Sequence, residues 1–265
     1  MKEKLNGIIS FNVSANEKLN LLREYFQHLI LKIMYDRKIS SMLSFVGGTA
    51  LSVIYNVGRF SEDLDFSLSN KRRYNVNSLS KIVSNELNDY GFINEVSVSK
   101  KNIVNSIWFK FPDILNEYKI SLIKGQKLSI KLEIDTNSPG GFEEEIHVVN
   151  KYFFFTVRTY KIDSLFAGKL HAFLFRKYSK GRDYYDLLWY LSKKIIPNWG
   201  YLINSSSQTE KKKFTEAKLI EMLVKKFEKA DYSQIRREVL PFLQNPSEVR
   251  DLSLENFIVS LKYLR

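Results

Sequence analysis

The sequence contains no cysteine. Disulfide frameworks, thiolate zinc sites and cysteine nucleophiles are therefore excluded, and the composition suits a reducing compartment. Long apolar runs are missing as well. The N-terminal stretch MKEKLNGIISFNVSANEKLN has neither an uninterrupted apolar core nor a small-residue cleavage site, so no signal peptide is expected. The aromatic stretch from Tyr152 to Phe155 is far too short to span a bilayer. Histidine is scarce: His28, His147 and His171 are widely spaced and show no ligand pattern, and His28 reads as a packed helix residue. These absences lead us to expect a cytoplasmic protein with no membrane partner.

Negative charge is outnumbered, with 29 Asp and Glu against 41 Lys and Arg, a formal net charge of +12. Such an excess attracts polyanions: nucleic acid, a nucleoside triphosphate, an acidic partner or a membrane surface. A solubilising surface is the alternative that charge alone leaves open. What is plentiful is apolar and aromatic content, 44% hydrophobic with 19 Phe and 15 Tyr, enough for a sizeable core.

Apolar residues at helical spacing predict a long helix over 16–38, a short apolar segment over 42–46, and a helix over 49–57. A strand runs into Phe66–Leu68 from an acidic pair. A helix over 75–90 is stopped by Gly91. Strand-like runs follow at 93–99, 103–111, 119–123 and 128–135, with a turn at Lys124-Gly125-Gln126 and a loop at Pro139-Gly140-Gly141. Beyond Thr159 the chain reads as mostly helical to Arg265. The expected organisation is an α/β core over 1–158 and a helical domain over 159–265. Within the helical half, residues 193–229 carry nine Lys against four Glu. Lys211, Lys212, Lys213, Lys225 and Lys226 there are candidate phosphate contacts, and Ser205-Ser206-Ser207 suggests a flexible loop.

The most informative stretch is Phe45-Val46-Gly47-Gly48-Thr49-Ala50-Leu51, followed by Arg59-Phe60-Ser61-Glu62-Asp63-Leu64-Asp65-Phe66. Alternate side chains of a strand share a face, so Asp63 and Asp65 point together while Leu64 and Phe66 enter the core. Two adjacent carboxylates repel unless a cation lies between them, and hard oxygen ligands favour Mg²⁺ or Mn²⁺. Gly47 and Gly48 supply backbone that a phosphate can approach, and the helix after them offers N–H groups to an anion. Thr49, Arg59 and Ser61 are further candidate phosphate donors. Phosphoryl transfer uses this combination of carboxylates, cation and anion cradle. A Gly-Gly turn or an Asp-x-Asp pair alone would carry little weight; the two separated by a short helix are far more specific.

The run GGTALSVIYNVGRFSEDLDF resembles the first motif of the AbiEii/AbiGii-type nucleotidyltransferase toxins, within the polymerase-β-like nucleotidyltransferase superfamily. The resemblance implies an α+β fold, a mixed sheet with flanking helices followed by a mostly helical C-terminal half. It also implies a divalent metal, a nucleoside triphosphate, a nucleic-acid acceptor that is tRNA in some members, and a separately encoded antitoxin in an abortive-infection, phage-defence pair.

The superfamily's third acid sits between hydrophobic residues on a neighbouring strand. In Ser129-Ile130-Lys131-Leu132-Glu133-Ile134-Asp135 the alternation puts Lys131, Glu133 and Asp135 on one face. Glu133 is the candidate metal ligand or general base, with Asp135 its rival and a solvent-facing strand edge the ordinary reading. Over 162–175, Lys169 falls near the middle of an apolar helical stripe, where a lysine must snorkel, pair with an acid or meet an anion. Asp183 and Asp186, three apart in Gly181-Arg182-Asp183-Tyr184-Tyr185-Asp186-Leu187, can face one site, although Asp183 could equally cap a helix. These segments resemble the family's later motifs, by which Lys169 would contact the triphosphate and Asp183 would be catalytic. Two further functions compete with the transferase reading: a non-catalytic RNA- or partner-binding module, and a transferase acting on a small molecule.

Overall fold

The computed structural model describes residues 1–9, 13–70 and 74–264; Arg265, the last residue of the expected helical half, lies outside the described residues. The chain folds into two compact units, one comprising Met1–Ile54, Phe60–Asn137 and Ile146–Thr159, the other Tyr55–Arg59, Ser138–Glu145 and Tyr160–Arg265.

The first unit opens with α1 (Lys2–Ile8) and the long α2 (Ala15–Asp36), whose N-cap Ser14 accepts from the Glu17 amide. Strand β1 (Leu43–Val46) leads straight into α3 (Gly47–Tyr55), and β2 (Asp63–Leu68) carries the acidic pair. Next come α4 (Val76–Asp89), β3 (Glu95–Lys101), β4 (Val104–Phe111), the single turn α5 (Ile114–Glu117), β5 (Leu128–Asp135), β6 (Glu144–Asn150) and β7 (Phe154–Tyr160). The strands form one mixed sheet in the order β3-β4-β5-β2-β1-β7-β6. Strand β2 runs antiparallel to β1 and parallel to β5, so it lies at the centre with hydrogen-bonded neighbours on both sides. Its buried Leu64 and Phe66 join Phe26, Ile30, Phe45, Leu132 and Ile134 in the core, with Phe26 stacked on Phe111 at 4.0 Å. Burial of this apolar face is what holds β2 in register, because a one-residue slip would turn Leu64 to solvent and Asp63 inward.

The helical unit contains α6 (Ile162–Phe175), α7 (Gly181–Ser192), α8 (Trp199–Glu210), α9 (Glu216–Glu228), α10 (Tyr232–Val239) and α11 (Leu254–Ser260). Its aromatic core stacks Phe166 on Tyr190 at 4.5 Å and Phe227 on Phe257 at 4.2 Å. Tyr55–Arg59 and Ser138–Glu145 belong to it because their side chains find partners there: Tyr55 donates to Glu145 at 3.0 Å, and Arg59 pairs with Asp186.

Two local expectations are corrected. Ser205-Ser206-Ser207 is not a loop but the interior of α8, with Ser205 and Ser206 buried. Ser205 satisfies its hydroxyl on the carbonyl of Tyr201 at 2.8 Å, one turn back, which lets a serine sit inside a packed helix. Residues 119–123 form no strand: Lys119 has φ +54°, and Leu122 and Ile123 are exposed beyond it. The Ile120 and Ser121 amides donate instead to the Leu115 carbonyl, at 2.8 and 3.2 Å, so the segment folds back on α5 rather than extending along the sheet. Strands β6 and β7 are not among the expected elements; Ile146, Val148 and Phe154 on them are exposed.

Candidate active site

Strand β1 ends at Val46, opposite Asp65, and the chain turns at once into α3 through Gly47. Gly47 has φ +76°, a conformation that L side chains rarely adopt. A β-carbon there would lie 2.9 Å from the Asp65 β-carbon and would collide with the carboxylate oxygen Oδ2. The glycine turn and the acidic pair are thus one steric unit: the Asp65 carboxylate takes the space that a side chain at position 47 would need.

Asp63 and Asp65 are both half-buried on the face of β2 opposite its core residues. Across the parallel pairing, Asp65 is in register with Glu133 and Asp63 with Lys131. The third candidate acid is therefore carried on the neighbouring strand beside Asp65, and Asp135 lies opposite Ser67. Glu133 is engaged by the Lys131 ammonium at 2.6 Å and accepts from Ser106 at 3.1 Å. The donor chemistry, three carboxylates from two adjacent strands, fits a hard divalent cation. Among the described residues, however, no three His, Cys, Asp or Glu side chains are gathered into a ready metal cage. Lys131 is the cation that Glu133 now meets.

Thr49 is buried on the first turn of α3. Its Oγ1 lies 2.7 Å from Ser61 Oγ and also donates to the Asp63 carbonyl. Gln27, buried on α2, donates to the Ser61 carbonyl at 3.0 Å. These groups tie the segment entering β2 to two helices, which fixes where Asp63 begins its strand. Sequence reasoning missed Gln27; its one signal is a polar residue directly after the core residue Phe26.

The helical unit holds a buried charge cluster. Arg59 is 2% exposed and Asp186 fully buried, and they form a two-pronged pair, Nε to Oδ1 at 2.5 Å and Nη2 to Oδ2 at 2.6 Å. Lys169 lies 2.7 Å from Asp186 and 3.1 Å from Asp183. Asp183 also accepts from the Lys180 amide at 3.0 Å, so it caps α7 as well as pairing with Lys169. Of the three fates open to a lysine on an apolar stripe, the structure selects pairing with acids. Arg59 is placed at this cluster, its guanidinium fork held by a carboxylate.

Burial disfavours charge on Arg59, Lys169 and Asp183, and the neighbouring opposite charges outweigh it. Lys169 is held above the ordinary lysine range despite desolvation, by Asp186 and then Asp183. Arg59 is likewise raised, desolvation being offset by Asp186. Asp183 is held below the usual aspartate range, where burial is overcome by Lys169 and the Lys180 amide. The cluster carries two cations and two carboxylates, and is neutral as a whole.

The lysines of α9 are in use within the protein. Lys225 pairs with Glu221 at 2.5 Å, and Lys226 donates to the Phe173 carbonyl, capping α6. Of the candidate phosphate contacts, these two are thus already engaged within the helical unit. Among the described residues no helix is long and apolar enough to cross a membrane.

A central strand bearing an acidic pair, fed by a glycine turn and flanked by a third acid, sits in a mixed sheet followed by a helical half. This is the α+β nucleotidyltransferase fold. Two solved structures share it: JHP933 from Helicobacter pylori, 19% identical, with 92% of this chain and 88% of that one covered at a TM-score of 0.50. The other is a candidate nucleotidyltransferase from H. pylori, also 19% identical, with 92% and 95% covered at 0.54. The chain belongs to the nucleotidyl transferase AbiEii toxin family of type IV toxin–antitoxin systems, which it matches over residues 29–253. No curated protein matched it in sequence.

Proposed function

We propose that this chain is a divalent-metal-dependent nucleotidyltransferase that moves a nucleoside monophosphate from a nucleoside triphosphate onto RNA, with tRNA the first acceptor to test. Growth arrest in an abortive-infection response, relieved by a separately encoded antitoxin, is the biological role that fits. The carrying observation is the steric fit of Gly47 against Asp65, with Asp63 on the same face of β2 and Glu133 in register beside them.

Asp63 and Asp65 would hold the cation, with Glu133 as third ligand or general base. When bound, Mg²⁺ or Mn²⁺ neutralises the triphosphate and stabilises the leaving oxygen. Gly47 and Gly48, which carry no side chain, let a phosphate approach the backbone at the start of α3 closely. Thr49 and Ser61 position the acidic strand. Lys169, kept protonated by its two aspartates, is the candidate triphosphate cation, and Asp183 the candidate catalytic carboxylate of the helical unit. Arg59 serves by holding Asp186.

The test is incubation of pure protein with each labelled triphosphate, Mg²⁺ or Mn²⁺, and total RNA or tRNA, beside Asp65→Asn. Label entering RNA with wild type alone supports the proposal. Equal labelling by Asp65→Asn, or none by either protein, overturns it. Label found only in a small molecule or a protein serine redirects the acceptor.

A further inference from the structure

Two short stretches of the helical unit, far apart in sequence, are brought together by one pair of rings. Phe175 ends α6 and Phe214 precedes α9, and their rings pack edge to face at 5.4 Å. His171 reinforces this junction, its Nε2 lying 2.8 Å from Thr209 Oγ1 while its ring lies 5.3 Å from Phe175. Phe175 is followed directly by Arg176, Lys177, Tyr178, Ser179 and Lys180, and Phe214 is preceded directly by Lys211, Lys212 and Lys213.

All six cations are exposed. Among the described residues none of them forms an ion pair with a carboxylate, unlike Lys218 and Lys225, which both pair with Glu221. Glu210 is the single carboxylate within 176–180 and 209–214. Tyr178 stands among them 75% exposed, with the Lys177 ammonium 5.2 Å from its ring centre. The loop that presents it is fixed at both ends: the Arg176 amide donates to Ala172, Ser179 donates to Phe173 at 3.2 Å, and the Gly181 amide donates to Glu238 at 2.9 Å. The Tyr178 ring is thus an exposed flat face on a loop held at both ends, with the Lys177 ammonium beside it and cations that form no ion pair on both joined stretches.

We propose that this surface binds single-stranded RNA, with Tyr178 as a stacking platform for an unpaired base and Arg176, Lys177, Lys180 and Lys211–Lys213 as contacts to the flanking phosphates. The inference rests on the transferase reading, for which it supplies the acceptor's docking surface. Stacking on a ring flanked by cations is sequence-tolerant, since every base has a flat face. A duplex hides those faces, so an unpaired strand or end is the form that fits. An anionic membrane would be met by an aliphatic or tryptophan wedge rather than one tyrosine.

The experiment measures anisotropy of a fluorescein-labelled single-stranded RNA with the full chain at several salt concentrations, without nucleotide. Arg176→Ser/Lys177→Ser/Lys180→Ser should lower the magnitude of the log–log salt slope by about 0.7 for each phosphate no longer neutralised, about 2 in all. Tyr178→Ala should weaken binding on the order of tenfold with the slope unchanged, and Tyr178→Phe should retain wild-type affinity. The same RNA as a duplex should show no dependence on Tyr178. Parallel salt plots together with an unchanged Tyr178→Ala would overturn the proposal, as would tighter, equally residue-dependent binding to anionic vesicles. If these variants lose RNA while no triphosphate ever labels it, the surface stands and the transferase reading falls. If RNA is labelled but binding ignores these residues, the surface alone falls.

Discussion

Arg59→Met probes the buried cluster most directly. In the native unit the charges of Arg59, Lys169, Asp183 and Asp186 sum to zero, and Arg59 and Asp186 are both shut off from water. Removing the guanidinium strips two charge-assisted hydrogen bonds from Asp186 and leaves one lysine facing two carboxylates. Breaking one side of a buried pair costs about 3–5 kcal/mol, because the remaining charge is left without compensation. Lys169 remains paired with Asp186, which places the expectation at the lower end of that range. In Arg59→Met/Asp186→Leu, neutrality returns and Lys169 still pairs with Asp183, so much of the stability should be recovered. Urea unfolding followed by fluorescence in a Trp108→Phe background reports the helical unit, because Trp189 and Trp199 both lie in it. A single variant destabilised by less than about 1 kcal/mol, or a double variant no more stable than the sum of both single changes, would refute the argument that burial and charge balance govern this cluster.

Gly47→Ala should cost about 1–2 kcal/mol from the left-handed backbone alone, and should abolish nucleotide transfer by displacing Asp65, compared by unfolding and activity against Gly140→Ala, which has open space around it. Asp63→Ala and Asp65→Ala should each abolish transfer with the circular dichroism spectrum intact; wild-type turnover in either removes them from the chemistry. Because the folded-state pKa of Asp183 is depressed, its stabilisation is present above the unfolded aspartate pKa and is lost as pH falls through the folded value. The acid limb of the stability profile should therefore flatten in Asp183→Asn, and an unchanged limb would contradict the assignment. Lys169 has the opposite sign: its raised pKa makes its contribution complete below the unfolded lysine value and lost only as pH rises through the folded one. Lys169→Met should remove this alkaline decline in stability and, in calorimetry, weaken triphosphate binding.

Local pattern carried much of this protein. Alternation alone set Asp63 and Asp65 on one face of β2 and Glu133 on the solvent side of β5, because a strand's period of two is a property of its own backbone. The glycine turn was legible for the same reason, and so was the anomaly of Lys169, a cation at an apolar position of a 3.6-residue repeat. Partner choice was not legible. That Glu133 stands beside Asp65 follows from the parallel pairing of β2 with β5, set by burial of Leu64, Phe66, Leu132 and Ile134 in one shared core. That Asp65 needs a glycine at 47 follows from a close approach between two strands' ends. Arg59, read from its neighbours as a phosphate donor, meets Asp186 across 127 residues of chain, and Lys226 leaves its apparent basic run to cap another helix. Ser205 and Ser206 look like linker residues until α8 is packed. The sequence by itself determined which side chains each strand and helix presents on a face, since that is fixed by backbone geometry within a few residues. Only the tertiary structure decided which charges meet, because ion pairs and strand neighbours are chosen by burial and charge balance among groups that the chain's order does not bring together.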